Sequence, residues 1–481
     1  MMTEQLKLRL VMIFSTMFIV LNTIFIAKEI YWFMIVPVIF LVAVTAFVAL
    51  DVLVLFIVFL TPLSVILQQN DFGAAISIPT EPLLFGVMLI YLLRLCYAGK
   101  LERAIFFHPV TIAILANLIW IFFTCITSTI PDVSWKFLLA RFWLVIPFYF
   151  VTLQLFKDRK NMERHLWLYI ISFSIVIIYT IINQALNNFD DLSAHIAMNP
   201  FYNDHTSYGA MQVMYLPPLI FFAFDKNTSA NLRVLVFLLI ILFITGNILS
   251  NTRAAWVGLP VAAGALVIYL FKIRIVPILS ALGIMIALFF VYQKDIFMYL
   301  ESSRHKNVKN MDIGQRLESI TNITTDPSNT ERLNRWAAAI RMFEEKPFFG
   351  WGPGTYQFQY APFQISSEKT QISTNFGEKG NSHSEYIGPL AETGVIGLLS
   401  VLGILVTALL TAGRIIYHTT DKRVKYFAIA LALGLITYFV HGTLNNFLDT
   451  DKASAPFWGF IGMLVMMDIR ERTKKEEATA N

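Results

Sequence analysis

Charge is what this chain most conspicuously lacks. Only 14% of its 481 residues are Asp, Glu, Lys or Arg, against 57% that are hydrophobic. A water-soluble domain carries roughly a quarter charged residues, so a soluble globular protein of this size would have no adequate polar skin. Lipid must supply the missing solvation. Cysteine is nearly absent: Cys96 and Cys125 both lie inside apolar runs and read as small hydrophobes. Without a CxxC or a Cys/His pattern, zinc-site and disulfide-scaffold classes are excluded, and no metal or cofactor is expected. No internal repeat and no low-complexity segment is visible. The first apolar run has no convincing small-residue cleavage site, so it reads as a span and not as a removable signal peptide.

What the chain has instead is long apolar segments. They recur near 9–27, 31–48, 52–67, 83–98, 109–130, 136–156, 165–185, 209–224, 233–250, 254–271, 275–292, 386–412, 426–444 and 455–468. Each approaches the length a bilayer core requires, and backbone groups in lipid must be satisfied within a helix. The expected fold is therefore an all-α polytopic integral membrane protein of about 14 transmembrane helices. Lys and Arg fix the orientation. With the N-terminus inside, Lys7, Lys100, Lys157, Arg159, Lys226, Lys272, Arg414, Lys422 and Arg470 all fall on the cytoplasmic side, whereas segments 68–82 and 186–208 contain neither residue type. The mean hydropathy of +0.63 agrees.

One stretch is long and polar. The expected division is 1–292 as an N-terminal bundle of about eleven spans, 293–385 as a partly helical extracytoplasmic loop domain, 386–468 as closing spans, and 469–481 as a frayed cytoplasmic tail. The loop's balanced charges argue against nucleic acid as a partner. Ser328-Asn329-Thr330-Glu331 reads as a capping box opening a helix that carries Leu333, Trp336, Ile340 and Phe343 and stops at Pro347.

Chemistry is expected where polar residues meet the membrane. Arg253, after Ser250-Asn251-Thr252, stands at the outer end of a span; it either snorkels to headgroups or faces the bundle as an anion contact. Arg141 poses the same choice. Arg332 and Arg335 share a helix face, with Arg316 upstream; they form either a solvated ion-paired face with Glu331 and Glu344 or a forked anion clamp. Gly350-Trp351-Gly352-Pro353-Gly354 follows a helix, lacks the Lys-Ser/Thr pair of a nucleotide loop, and reads as a tight turn. His383, in Asn381-Ser382-His383-Ser384-Glu385-Tyr386, is either a structural hydrogen-bonding residue or a general base with Glu and Tyr beside it. His205, in Tyr202-Asn203-Asp204-His205, is a secondary candidate in another outer loop.

His383-Ser384, nine residues and then Gly394-Val395-Ile396-Gly397 resembles the His-Asn/Ser-x9-Gly-x-x-Gly signature of the O-antigen ligase/Wzy polymerase superfamily. Leu390-Ala391-Glu392-Thr393, the run Arg332 to Trp336, the turn Pro347 to Gly354 and the Arg253 motif are also similar to that family. The resemblance implies a GT-C-like fold and a glycosyltransferase that takes a glycan from an undecaprenyl-diphosphate carrier, outside the cytoplasm, without nucleotide sugar or metal. It implies His383 as the base and Arg253 and Arg332 as the diphosphate clamp, with Arg335 and Arg316 behind them. Tyr386 and Glu392 are secondary. The family's spacing of Arg four before Trp favours Arg332; a shifted register would favour Arg335. The implied partners are a lipid-linked oligosaccharide, an acceptor glycan and membrane lipid, with a flippase and a chain-length regulator as further candidates. The leading reading is a polymerase of lipid-linked repeats in a bacterial cytoplasmic membrane. The alternatives are a ligase to a lipid, protein or wall acceptor, a flippase of the same lipid-linked sugar, and a membrane scaffold. No inverted repeat or pair of broken helices supports the flippase.

Overall fold

A computed structural model of the chain describes residues 4–29, 48–68, 75–98, 102–274, 327–366 and 380–480, with scattered single residues between them. Two compact units emerge, 1–53 and 54–481. In the first, helix α1 (Glu4–Ala27) is a single apolar rod. Most of the expected span at 31–48 and part of that at 275–292 lie outside the described residues, as does Arg316.

The larger unit is a helix bundle with one small departure from the all-α expectation. Helix α2 (Leu50–Leu60) gives way to a 3-10 turn at Thr61–Leu63, where Pro62 interrupts the backbone ladder. The chain then forms β1 (Val65–Gln68), which pairs antiparallel with β2 (Ala75–Ile78) in the register Val65 to Ile78. The predicted span at 52–67 is thus half helix and half hairpin.

The long helices that follow are α3 (Thr80–Ala98), α4 (Pro109–Ile126), α5 (Pro131–Leu155), α6 (Arg159–Leu186), α7 (His205–Phe224), α8 (Ala230–Leu249) and α9 (Arg253–Leu270). After the polar segment come α10 (Pro327–Glu345), α11 (Ile387–His418), α12 (Lys422–His441) and α13 (Asp451–Ala480). Among the described residues, eight helices are long and apolar enough to cross a membrane, with shorter apolar helices beside them. This is a multi-pass membrane protein.

The starts of these helices are written into the sequence. Asp158 accepts from Lys160 N at 3.0 Å, Asp204 from Thr206 N at 2.7 Å, and Asp421 from Arg423 N at 2.8 Å, each satisfying an amide the helix itself leaves unpaired. Pro109 and Pro131 open α4 and α5, where a missing N–H costs nothing. Burial then sorts the bundle. The hydrophobic stretches of α7 and α12 are 83% and 78% buried, whereas that of α8 is 22% buried. α7 and α12 are therefore the central pair, and α8 turns most of its surface to lipid. At their crossing Gly434 lies against the Met214 carbonyl, an approach that leaves no room for a larger residue.

Helix α13 corrects two expectations. It begins at Asp451, ahead of the expected 455, with a buried polar cluster: Asp451 accepts from Ser64 Oγ at 2.8 Å and from Thr80 Oγ1, and Lys452 Nζ donates to Ser64 Oγ at 2.6 Å. It also continues as helix to Ala480, where a frayed tail was expected.

Candidate active site

The site forms where five segments meet: the starts of α7 and α9, the helix α10, the turn 380–386, and the loop 442–450 that links α12 to α13. Their positions follow from local hydrogen bonds. α9 begins at Arg253, with three residues between it and the end of α8. Its preceding Thr252 does not cap it. Thr252 Oγ1 instead donates to the His205 carbonyl at 2.8 Å, tying the start of α9 to the start of α7. The backbone of Arg253 is thereby fixed at this junction; its side chain lies outside the described residues.

α10 starts at Pro327, one residue before the expected cap, and ends at Glu345 before Pro347. Its best-buried face is Ala339 and Met342, packed on Tyr356, Tyr360, Ile387 and Ala391, with Trp336, Trp351 and Phe363 around them. Ile340 is also buried, but Leu333, Trp336 and Phe343, expected on this face, are only half-buried.

The two arginines of α10 part company. Arg335 is 5% exposed. Its Nε donates to Glu331 Oε1 at 2.8 Å, its Nη1 to the Asn381 carbonyl at 3.0 Å, and its guanidinium lies 5.5 Å over the Tyr360 ring. It is an internal strut that holds the turn 380–386. Gly380, at φ +133°, allows this: a Cβ there would stand 1.7 Å from Arg335 Nη1. Arg332 is half-buried and reaches the other way, Nε donating to the Leu444 carbonyl at 3.2 Å. It is an electrostatic neighbour of His205, His383 and His441 together.

His383 sits in the turn with a left-handed backbone, φ 50°, a conformation uncommon for a residue with a Cβ and one that clusters at functional sites. Asn381 Oδ1 accepts from its amide at 3.1 Å. Burial, then the positive charges of Arg335 and Arg332, push the imidazole pKa down to about 4, against a smaller opposing pull from Asp204 and Glu331. Its ring is neutral near pH 7 and able to accept a proton.

Glu385, two residues on, joins the turn to the loop 442–450. Its amide donates to the Gly442 carbonyl at 2.8 Å, and its Oε1 accepts from Tyr438 Oη at 2.8 Å, Phe447 N at 2.7 Å and Leu448 N at 2.9 Å. Burial and the neighbouring Asp449 push its pKa up to about 7. The loop carrying Arg332's acceptor is thus tied to the turn carrying His383.

The remaining candidates are structural in this arrangement. Tyr386 Oη donates to the Phe439 carbonyl at 2.7 Å. Arg141 pairs with Asp449 at 2.8 Å and lies 5.3 Å over Phe137, so it does not snorkel alone. Glu392 holds the glycine-rich turn: its carboxylate accepts from Gly354 N at 3.0 Å and Tyr356 N at 2.9 Å, and its carbonyl from Gly352 N at 2.8 Å. That docking requires the break in α11 at Gly394, φ 71°, where a Cβ would stand 2.0 Å from the Phe348 carbonyl. The break releases the Ala391, Glu392 and Thr393 carbonyls to Trp351 N, Gly352 N and Trp120 Nε1. His205 joins the cluster, its Nδ1 3.2 Å from His195 Nδ1 and 3.6 Å from Asp204 Oδ1.

Two contributors were not anticipated. Glu385 was noticed only as a neighbour of His383, and His441 not at all. An ionisable residue ending the apolar run 426–444 is the signal that would have found His441.

The sequence model described as O-antigen ligase matches residues 235–402. Over this segment the chain is similar to the O-antigen ligase family. The matched region runs from α8 into α11 and contains Arg253, Arg332, Arg335, His383, Glu392 and Gly394; His205 and His441 lie outside it, before and after. The chain is also similar to an uncharacterized protein of Haemophilus influenzae, 24% identical over 230 residues, covering 44% of this chain. The match spans about half (51%) of that protein's length.

Proposed function

We propose that the protein is an extracytoplasmic glycosyltransferase of a bacterial cytoplasmic membrane that joins undecaprenyl-diphosphate-linked oligosaccharide repeats into a surface polysaccharide. The His383 turn supports this reading best: a buried histidine with a left-handed backbone adjoins Arg332 and Arg335, with Asp204 also near, where helix ends, a turn and a loop converge. The similarity of residues 235–402 to the O-antigen ligase family supports the lipid-linked donor.

In this reading the acceptor sugar's hydroxyl oxygen attacks the anomeric carbon of the donor. The bond from that carbon to the diphosphate oxygen breaks, undecaprenyl diphosphate leaves with its electron pair, and the configuration inverts. His383 takes the hydroxyl proton. A low pKa makes it a modest base, which suits a reaction whose leaving group is already good. Arg332 and Arg253 hold the diphosphate and neutralise the charge that develops on it. An arriving diphosphate also offsets the cations beside His383, raising its proton affinity as chemistry begins. Arg335 positions the His383 turn. The loop domain faces outward, and both termini are cytoplasmic.

The family's description favours a second reading, transfer of a finished glycan to a lipid, protein or wall acceptor. Surface glycan from cells carrying the wild-type gene, a deletion, or His383→Ala separates the two. Single lipid-linked repeats in both mutants support the polymerase. Long chains stranded on the carrier identify a ligase. Repeats trapped on the cytoplasmic face would mean a flippase, and normal glycan from His383→Ala would remove the base assignment.

A further inference from the structure

Directly after α10, the turn 347–350 carries two phenylalanines side by side, Phe348 64% and Phe349 46% exposed. Both lie against membrane spans. Phe349 stacks on Trp120 of α4, with ring centroids 5.5 Å apart and planes 15° from parallel. Pro347 is tied to α11, its carbonyl accepting from Val395 N at 2.9 Å, and the Phe348 carbonyl packs where Gly394 has no Cβ.

Depth follows from helix geometry. α4 has 18 residues and is about 27 Å long, close to the thickness of a hydrocarbon core. Trp120 stands about 9 Å short of its end at Ile126. Its side chain leans toward the N-terminus of α4, which is deeper into the span. In α11, the stretch 395–418 beyond the break is about 36 Å long, enough to cross the core alone. Both measures set Phe348 and Phe349 at the edge of the hydrocarbon, or just inside it.

Non-helical backbone enters hydrocarbon only where its polar groups are satisfied, and this turn meets that condition through its neighbours. Gly350 N donates to the Lys346 carbonyl at 3.1 Å, and Trp351 N and Gly352 N donate to α11. The Trp351 carbonyl accepts from Thr129 N at 2.9 Å, just past the end of α4. The spans on either side present apolar residues outward: Ile119 and Phe123 on α4, and Leu399 on α11, are exposed. Lys346 folds its ammonium over the Trp351 ring, 4.2 Å from the centroid, a cation and an aromatic paired as suits headgroup level.

We propose that Phe348 and Phe349 anchor the polar segment in the membrane, inserted among the acyl chains of the leaflet nearest the His383 turn. Continuity selects lipid as the occupant: the two rings touch α4 and α11 and extend their outward apolar faces. Because the turn follows α10 directly, the anchor fixes the height of the helix that carries Arg332 and Arg335. The proposal rests on the membrane class alone and stands whatever reaction the site performs.

The test is spin labelling of the full chain in nanodiscs of phosphatidylethanolamine and phosphatidylglycerol. The background is Cys96→Ser, since Cys125 is buried. Nitroxides at Phe348→Cys, Phe123→Cys and Glu477→Cys are compared for relaxation by oxygen, which concentrates in acyl chains, and by a water-soluble nickel chelate. The label at 348 should match that at 123 and favour oxygen, while the label at 477, exposed near the end of α13, favours nickel. Nickel-favouring relaxation at 348 would overturn the proposal. An oxygen preference that appears only on adding undecaprenyl phosphate would also overturn it, assigning the phenylalanines to a polyprenyl tail. A label shielded from both reagents and broadened by a neighbouring spin would do the same in favour of a second copy of the chain. Should Phe348→Cys not fold, Phe349→Cys carries the same comparison.

Discussion

The two ends of the bundle each hold a histidine among arginines, and they are built differently. At the far end of α11 and α13, Asp468 accepts from His108 Nε2 at 3.1 Å, Arg414 at 2.8 Å and Arg472 at 2.7 Å. His108 Nδ1 accepts from Val110 N, so both ring nitrogens are engaged. A carboxylate at the centre closes that cluster on itself. At the His383 end the carboxylate lies to one side: Asp204 stands 3.6 Å from His205 Nδ1 and is an electrostatic neighbour of the same three histidines as Arg332. Glu331 is turned to Arg335 and Ser373, and Asp204 caps α7. His383 is held in a left-handed turn, a conformation that clusters at functional sites. The closed cluster fastens helices; the more open one carries that turn.

The comparison breaks or holds under substitution. The largest expected effect is on chemistry. His383→Ala should lower glycan transfer per folded molecule about 10²–10⁴-fold, the usual worth of a positioned base, while Asp468→Ala leaves that rate unchanged. Product formed by purified protein on lipid-linked substrate reads this directly. The effects should reverse for stability. Asp468→Ala leaves His108 and two arginines without their acceptor and should cost about 3 kcal/mol, seen as a lowered melting temperature in detergent; His383→Ala should cost less. Glu385 tests the tie between site and loop. Glu385→Ala strands two backbone amides and the Tyr438 hydroxyl and should cost about 2 kcal/mol, whereas Glu385→Gln, still an acceptor at Oε1, should retain most of both stability and activity. Equal damage from the two Glu385 variants would mean that the charge, and not the acceptor, matters.

Much of this was legible in the sequence, for identifiable reasons. Helix starts carry local signals in Asp158, Asp204 and Asp421, but hydropathy alone places these helices at 165, 209 and 426, later than their true starts at Arg159, His205 and Lys422. The membrane class followed from missing charge. His383 and Arg332 stood out because each follows a recognisable pattern beside a membrane segment. The division of labour between Arg332 and Arg335 was not legible: three residues apart on one face, they differ only in what α10 packs against. Glu392 looked chemical in sequence and proved to bind turn amides, because the break at Gly394 depends on a docking segment forty residues away. The hairpin 65–78 was hidden in an apolar run whose period does not distinguish strand from helix over so few residues.

The smallest expected effect is a shift in pH dependence, and it tests the open cluster most directly. Burial and two arginines hold His383 down to about 4, so the acid limb of kcat/KM, which reports the free enzyme, should fall near pH 4, below the usual histidine range. The limb of kcat should lie higher, because bound diphosphate offsets Arg332 and Arg335. The sign for stability is opposite to that of a paired histidine. With its folded pKa depressed, His383 binds fewer protons folded than unfolded between about pH 4 and 6.5, so its contribution is present above 6.5 and declines as pH falls through that window. Arg335→Met removes the larger of the two cationic influences and should move the kcat/KM limb upward, toward the ordinary histidine value. A limb that stays put would mean burial alone sets the proton affinity of His383, and that the arginines beside it do not tune it.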